Sequence, residues 1–360
     1  MSGTRSDAPV LEVKNLSITY ATDEGPEVRA VTDVSFTLRR GEILGLAGES
    51  GCGKSTLAYA LTRLLSPLAT VTQGEVLFHR AGGSAPVDVL ALSPEQLREF
   101  RWSELAIVFQ SAMNALNPVM TLGAQIEDTL RAHRPAMGKT ERSARAVALL
   151  RQVGIAADRL AAYPHELSGG MRQRASIAIA LALEPAVVIM DEPTTALDVV
   201  VQREILSEIL RLRDALGFSV MFITHDLSLL LELADRVAIM YAGRIIERGP
   251  SRALYARPRH PYSHGLIHAF PALRGPRRRA LGIPGSPPDL RDAPPGCAFH
   301  PRCPLAFAAC RELVPPLRAA DGAPGVEVAC HLYDPALSPG EPDTATIAAA
   351  YEAAAERSAS

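Results

Sequence analysis

No apolar run in the sequence approaches the length of about 18 residues that indicates a membrane-spanning helix. The longest candidate, residues 175–183, is ended by Glu184 and Pro185. The N-terminal stretch MSGTRSDAPV also lacks the apolar region of a secretory signal peptide. These absences predict a cytoplasmic protein, either soluble or held at the cytoplasmic face of the cell membrane by a partner.

The sequence is also poor in net charge and in lysine. Its formal net charge is −2, which disfavours a nucleic-acid binder that works through a broad basic field. Lysine occurs only at Lys14, Lys54 and Lys139, so arginine carries nearly all of the positive charge. With 360 residues the chain is long enough for more than one domain.

One glycine-rich stretch, GESGCGKST at residues 48–56, fits the phosphate-binding P-loop pattern G-x-x-x-x-G-K-S/T. Residues 42–47 before it predict a short buried strand, and residues 56–65 after it predict a helix. This order lets backbone N–H groups surround phosphate oxygens at a helix N-terminus. Lys54 would then reach the β- and γ-phosphates, and the Ser55 hydroxyl can ligate Mg²⁺. The predicted nucleotide-binding residues of the loop are Gly48, Glu49, Ser50, Gly51, Cys52, Gly53, Lys54, Ser55 and Thr56.

Two stretches near the N-terminus, residues 11–20 and 30–38, alternate apolar and polar side chains. This period of two predicts strands of an antiparallel layer beside the P-loop strand. Tyr20 ends the first strand, and its aromatic face suits stacking on an adenine ring. Plain packing at the sheet edge explains a tyrosine there equally well.

Two acidic residues end a continuous apolar run. Residues 186–190 predict a central parallel strand, and Asp191 and Glu192 follow it directly. Because paired acids at the end of a buried strand are costly unless they are used, we expect Asp191 to hold Mg²⁺ through water and Glu192 to polarise the attacking water. His225 ends the next buried strand, residues 219–224, and points to the same nucleotide edge.

Two further features of the sequence could serve a nucleotide. Gln110 follows a short apolar strand at residues 105–109, inside a stretch that otherwise predicts helices, and can reach a metal or a water beside the γ-phosphate. Ser168 is a natural N-cap for a helix that opens with Gly169 and Gly170. The free N–H groups of that helix form a second anion site.

Four of the five cysteines lie close together, at Cys297, Cys303, Cys310 and Cys330, while Cys52 fills the P-loop. In a cytosolic chain such clustering favours a metal over disulfides. The gaps lack the CxxC spacing of zinc ribbons, and four thiolates can ligate a 4Fe–4S cluster. Zinc with mixed cysteine and histidine ligands is an alternative, because histidines lie near two of the cysteines. A third alternative is that the cysteines are reduced thiols that bind no metal.

Residues 10–250 resemble the ATP-binding subunits of ABC transporters. The motifs that carry the resemblance stand in the family's order and approximate spacing: the P-loop, Gln110, LSGGM at 167–171, VVIMDE at 187–192, ALD at 196–198, and His225. The resemblance implies an α/β fold: a P-loop, RecA-like ATPase core with an antiparallel β layer, a helical subdomain at about residues 93–173 and a C-terminal extension that carries the cysteines.

The resemblance also implies a head-to-tail dimer in which each ATP lies between the P-loop of one subunit and the LSGGM helix of the other. The residues that would complete the partner's site are Ser168, Gly169, Gly170, Gln173 and Asp198. In the chain's own site the implied catalytic residues are Glu192 as base, His225, Gln110 and Lys54. Mg²⁺ would be held through Ser55, Gln110 and Asp191.

The C-terminal part resembles the extension of ATPases in oligopeptide and dipeptide importers. HPYSHGL at 260–266, PGSPP at 284–288 and CAFHPRCP at 297–304 carry this resemblance. We divide it into a proline- and arginine-rich extension at 251–296, a four-cysteine module at 297–335 and a frayed, alanine-rich tail at 336–360. Because some members bind an iron–sulfur cluster through this cysteine set, the resemblance favours a 4Fe–4S cluster, with zinc as the alternative.

The predicted function is therefore ATP hydrolysis coupled to the uptake of oligopeptides, dipeptides or a related solute. The implied partners are a second ABC ATPase, with a heterodimer favoured, two membrane permease subunits and an external substrate-binding protein, but no nucleic acid. An importer of oligosaccharides or nickel is an alternative. A soluble ABC ATPase without a transport role is a further alternative.

Overall fold

Two β-sheets organise the part of the chain that the computed structural model describes. The described residues are 7–22, 25–110, 115–195, 197–269, 282–338 and 340–359. A four-stranded sheet carries the N-terminal strands, and an eight-stranded sheet forms the centre of the fold.

The four-stranded sheet is the predicted antiparallel layer, with the strand order β2-β1-β4-β5. Its strands are β1 (Pro9–Tyr20), β2 (Val28–Arg39), β4 (Ala69–Phe78) and β5 (Val87–Asp88). Alternation places apolar side chains such as Val13 and Val34 in the core between the two sheets. The opposite face of the layer carries the polar positions.

The central sheet has the strand order β11-β12-β10-β9-β3-β8-β7-β6. Its strands are β3 (Ile43–Ala47), β6 (Leu105–Val108), β7 (Val187–Asp191), β8 (Ser219–Thr224), β9 (Arg236–Tyr241), β10 (Arg244–Pro250), β11 (Arg318–Ala319) and β12 (Glu327–Val328). The strands from β9 to β6 run parallel, and every residue of β3, β6, β7 and β8 is buried. The carboxyl ends of these parallel strands therefore meet at one edge, where ligands bind in open α/β sheets.

Eleven helices surround the sheets in the described residues: α1 (Lys54–Leu61), α2 (Pro94–Phe100), α3 (Leu122–His133), α4 (Lys139–Gln152), α5 (Gly169–Ala180), α6 (Val199–Leu216), α7 (Leu227–Leu233), α8 (Ser251–Ala256), α9 (Pro261–His268), α10 (Ala308–Glu312) and α11 (Thr344–Ala359). A capping box starts α2, because the side chains of Ser93 and Gln96 each accept the other residue's backbone N–H. The predicted helical region also contributes β6 to the central sheet, where it pairs with β7.

The C-terminal extension joins the central sheet and is not a separate body. Strand β12 pairs with β10, and β11 pairs with β12. The end of the chain differs from the predicted frayed tail, because α11 buries Ile347 and Tyr351, which lie four residues apart on one helix face. The Tyr351 hydroxyl donates to the Pro261 carbonyl at 3.0 Å. Residues 270–281, which belong to the predicted proline- and arginine-rich extension at 251–296, lie outside the described residues.

None of the helices that the structure describes is long and apolar enough to cross a membrane.

Candidate active site

The P-loop connects β3 to α1, as the sequence predicted, and its glycines are required by space as well as by backbone angle. Gly53 precedes α1 with φ 103°, and a Cβ there would lie 2.1 Å from the carbonyl oxygen of Ala30. Gly48, at φ 155°, would place a Cβ 2.3 Å from the Met240 carbonyl oxygen. Only glycine fits both positions, so the loop keeps the N-terminus of α1 bare for an anion.

The ammonium group of Lys54 lies inside this loop. Its Nζ donates to the carbonyl oxygens of Gly48 at 2.7 Å and Glu49 at 2.9 Å, and the residue is buried. Burial raises the pKa of the neighbouring Cys52 although the charge of Lys54 lowers it, so this thiol stays neutral. Such a Cys52 agrees with its predicted role as a small filling side chain.

Tyr20 lies beside the start of α1. Its hydroxyl is 3.2 Å from Oγ1 of Thr56, the last residue of the P-loop pattern. This contact brings the end of β1 to the nucleotide loop. Stacking of the Tyr20 ring on adenine stays a prediction.

Asp191 is a fully buried carboxylate at the carboxyl end of β7. Neither of its oxygens makes a hydrogen bond of ordinary geometry among the described residues, although the Ser55 hydroxyl is close enough to act as a weak donor. Burial and the charge of Glu192 raise its pKa, while Ser55 and Lys54 lower it. A buried carboxylate without a partner is costly, and a hydrated divalent cation is a group that would offset this cost.

Glu192 is the centre of the polar network at this edge. Its Oε2 accepts from Thr195 Oγ1 at 2.9 Å and from Gln110 Nε2 at 3.2 Å, and its Oε1 lies 3.3 Å from His225 Nδ1. Burial raises its pKa, but the contacts with Thr195 and His225 and the charge of Lys54 outweigh burial and lower it. Its backbone has φ 46°, a conformation that non-glycine residues adopt at a cost and that often marks a functional site.

The structure thus brings together the predicted residues Gln110, Asp191, Glu192 and His225 beside the P-loop. Sequence reasoning missed Thr195, whose hydroxyl orients the Glu192 carboxylate. The only local signal was its position three residues after the acid, which also fits an ordinary turn.

The LSGGM segment begins α5. Ser168 is its N-cap and accepts from the Met171 N–H at 3.3 Å, while Gln173 is buried with its Nε2 unpaired among the described residues. No hydrogen bond within the described ranges joins the signature segment to the P-loop. Asp198 caps α6 in its own chain by accepting from the N–H groups of Val200 and Val201. Its predicted contact with a partner's nucleotide stays a prediction, and Ala196 of the same motif lies outside the described residues.

The four cysteines of the C-terminal module are unpaired thiols. Burial raises the pKa of Cys297 to about 11 and that of Cys303 to about 12. No group of three or more histidine, cysteine or acidic residues in the described part of the chain has the arrangement of a metal site. The predicted iron–sulfur cluster and its zinc alternative therefore receive no support from the arrangement of these side chains.

The four-cysteine module and the segment before it both contact the P-loop, which the sequence did not predict. Arg302, from the CAFHPRC segment, pairs with Glu49 through Nη1–Oε2 at 2.6 Å and Nη2–Oε1 at 2.9 Å. The hydroxyl of Tyr262, from the HPYSHGL segment, accepts from the Glu49 N–H at 2.9 Å. A module that is remote in sequence from the phosphate site is thus its neighbour in space.

Comparison with known proteins places the chain in a family. Residues 31–195 match the family described as ABC transporter, and residues 246–310 match the oligopeptide/dipeptide transporter C-terminal region. A Brucella abortus protein is 47% identical over 84% of this chain and 90% of its own length. This chain belongs to the ABC transporter ATPase family. The Brucella protein's name assigns it provisionally to peptide import as an ATP-binding protein.

Further comparisons agree with this membership. A Brucella melitensis protein with the same kind of name is 43% identical over 87% of the ATPase described here and 94% of its own length. Among solved structures, the dimeric ATP-binding cassette MJ0796, in a post-hydrolysis state with ADP and Pi, matches at a TM-score of 0.58 and 28% identity. That match covers 67% of this chain and 99% of MJ0796, which confirms the ABC ATPase fold.

Proposed function

We propose that this ATPase energises the import of oligopeptides, dipeptides or a related solute, as a peripheral subunit on the cytoplasmic face of a membrane transporter. The observation that carries the proposal is the C-terminal region, which matches that of oligopeptide/dipeptide transporters over residues 246–310. The names of the Brucella relatives, which point to peptide import, support the same substrate class.

In the proposed reaction, Glu192 accepts a proton from the water that attacks the γ-phosphorus of ATP. Its lowered pKa keeps it ionised at neutral pH, which a base requires. Thr195 and Gln110 fix the carboxylate by donating to its Oε2. His225 lies on the Oε1 side, with about half of its side chain exposed, and can contact the γ-phosphate.

Asp191, Ser55 and Gln110 would hold Mg²⁺. The buried, unpaired carboxylate of Asp191 fits a hydrated cation, and Ser55 is close enough to lower the pKa of that carboxylate. Gln110 turns its amide nitrogen to Glu192, which leaves its amide oxygen as the atom able to ligate. When bound, Mg²⁺ offsets the charge of the β- and γ-phosphates. Lys54 adds the fixed positive charge of the protein itself.

The proposed working unit is a head-to-tail ATPase dimer, and we favour a heterodimer with a related second subunit. Ser168, Gly169 and Gly170 offer a capped helix start with bare N–H groups, and no described hydrogen bond links them to the chain's own P-loop. They are therefore available to a partner's ATP. The dimeric state of MJ0796 supports such an arrangement.

We also propose that the four-cysteine module binds a 4Fe–4S cluster. Burial raises the pKa of these thiols, while backbone N–H groups two residues further along lower it at three of them: Phe299 acts on Cys297, Leu305 on Cys303 and Leu332 on Cys330. Hydrogen bonds from such N–H groups would stabilise thiolates that ligate a cluster. The thiols also influence one another's charge, which places all four in one region. Four cysteine thiols supply the number of donors that a 4Fe–4S cluster needs, and zinc is the alternative.

Protein purified without oxygen is expected to contain about four iron atoms and four acid-labile sulfides per chain. The measurement is an iron and sulfide assay together with visible absorbance. Cys303→Ser should lose most of the iron, whereas Cys52→Ser, which alters the one cysteine outside the module, should retain it. A colourless, iron-free anaerobic preparation of the wild-type protein would reject the cluster.

The transport function is tested by expressing the ATPase together with candidate permease subunits from the same organism. We expect the ATPase to co-purify with two permeases, and its hydrolysis to rise when a peptide-loaded binding protein is added to the assembled complex. Stimulation by nickel or an oligosaccharide, but not by peptides, would assign a different substrate. Isolation as a soluble protein that binds no permease would contradict the proposal.

A further inference from the structure

One residue of the P-loop, Glu49, is held from both its side chain and its backbone by the C-terminal extension. Arg302 forms a two-point ion pair with the Glu49 carboxylate, at 2.6 and 2.9 Å. The Tyr262 hydroxyl accepts from the Glu49 N–H at 2.9 Å. The Glu49 carbonyl in turn accepts from Lys54 Nζ at 2.9 Å. Glu49 therefore links the extension directly to Lys54, the lysine that is proposed to hold the phosphates.

Arg302 is itself fixed. Its side chain is only 6% exposed, and its three nitrogens make hydrogen bonds to five acceptors. Besides the two Glu49 oxygens, these are the Pro284 carbonyl at 2.8 Å, the Tyr241 hydroxyl at 3.3 Å and the Gly285 carbonyl at 3.4 Å. Because every N–H direction of a guanidinium is used, Arg302 can hold Glu49 in only one place.

The segment that carries Arg302 is anchored by an aromatic cluster. Phe299 packs against Tyr241 and Tyr262, with ring centroids 5.3 and 5.4 Å apart, and the two tyrosine rings are 4.6 Å apart. Both Phe299 and Arg302 lie between Cys297 and Cys303. The path from the cysteine module to the phosphate loop is therefore short and made of buried side chains.

We propose that Arg302 is a positioning residue for the nucleotide site. It neutralises the Glu49 carboxylate and fixes the first turn of the P-loop, so that the C-terminal extension forms part of the ATP-binding machinery. Without Arg302, an unpaired negative charge would lie beside the phosphates, where it repels them, and the partner of Lys54 would be free to move. This inference rests on the proposed nucleotide site.

The alternative is that the ion pair only anchors the extension to the ATPase core. A second pair allows the two roles to be separated. Arg248, on β10, contacts Glu327, on β12, and the Ser35 carbonyl, so it also ties the extension to the core. None of its contacts with the described residues reaches the P-loop. Arg248→Ala is therefore the matched control for loosening the extension.

The test compares full-length wild-type protein with Arg302→Ala, Arg302→Lys and Arg248→Ala. The affinity is measured with a fluorescent ATP analogue, and KM and kcat are measured by phosphate release. Arg302→Ala should weaken binding and raise KM about tenfold, as expected for one uncompensated charge near the phosphates, with a smaller effect on kcat. Arg302→Lys should recover part of the affinity. Arg248→Ala should lower the melting temperature without weakening binding.

A double variant separates charge from packing. Arg302→Ala combined with Glu49→Gln removes both charges, and we expect it to bind ATP more tightly than Arg302→Ala alone. If Arg302→Ala does not fold, Arg302→Lys and the double variant provide the comparison. The inference is overturned if folded Arg302 variants bind ATP with wild-type affinity, or if Arg248→Ala weakens binding equally. Failure of the wild-type protein to bind ATP would instead reject the proposed function.

Discussion

Glu192→Gln is expected to slow ATP hydrolysis by about 10²- to 10⁴-fold while ATP binding stays intact. Glutamine keeps the length of the side chain and one oxygen, which can still accept from Thr195, so the network at the end of β7 changes little in shape. It loses the basic carboxylate that takes the proton of water. In the proposed dimer, ATP would therefore bind and remain unhydrolysed.

The measurement is steady-state phosphate release together with equilibrium binding of an ATP analogue. Glu352→Gln is the matched control, because it is the same chemical change at an exposed residue of α11. Its turnover should equal that of the wild-type protein. If Glu192→Gln hydrolyses ATP at the wild-type rate, Glu192 is not the base.

The two acids at the end of β7 are shifted in opposite directions, and this difference suits two different roles. Burial raises the pKa of Asp191, so its ionised form is disfavoured in the folded chain until a cation compensates it. The pKa of Glu192 is lowered, so its contribution to stability is present above its ordinary pKa and is lost as pH falls through the folded value. These opposite shifts support the proposed roles, Asp191 toward Mg²⁺ and Glu192 toward the proton of the attacking water.

Much of this site could be predicted from the sequence because its residues follow recognisable strands. Residues 186–190 form a continuous apolar run and residues 219–224 predict a second buried strand, and polar residues directly after such strands are expected at one edge of a parallel sheet. From the sequence alone, that rule predicts that Glu192 and His225 lie close together. It gives no information on side-chain orientation, which explains why Thr195 was missed.

The position of the C-terminal extension could not be predicted in this way. Arg302 and Glu49 are separated by 253 positions, and neither local periodicity nor spacing encodes a contact over such a distance. The last helix was missed for a different reason. Its alanine-rich sequence has high helix propensity, but only the packing of Tyr351 on the Pro261 end of α9 shows that it is held.

Ser168→Arg is expected to slow the hydrolysis of the ATP bound by a partner subunit by about 100-fold or more. It should leave ATP binding at the P-loop of its own chain intact. The arginine side chain would occupy the start of α5, where bare N–H groups are to meet the partner's γ-phosphate. The substitution also removes an N-cap, which costs about 1 kcal/mol. Thr121→Ala is the control, because Thr121 caps α3 in the same helical region and its loss affects no nucleotide site.

The dimer makes a prediction that a self-contained monomer cannot meet. Where two copies of this chain pair, Ser168→Arg and Lys54→Ala should each be inactive, but their mixture should regain activity, because one mixed site keeps an intact P-loop and an intact signature helix. In a heterodimer, photolabelling with azido-ATP reports nucleotide binding at each P-loop separately. Ser168→Arg should reduce the labelling of the partner's P-loop, and Lys54→Ala should reduce the labelling of this chain's P-loop. If Ser168→Arg instead impairs only the site built on its own Lys54, the signature acts within one chain and the head-to-tail arrangement is wrong.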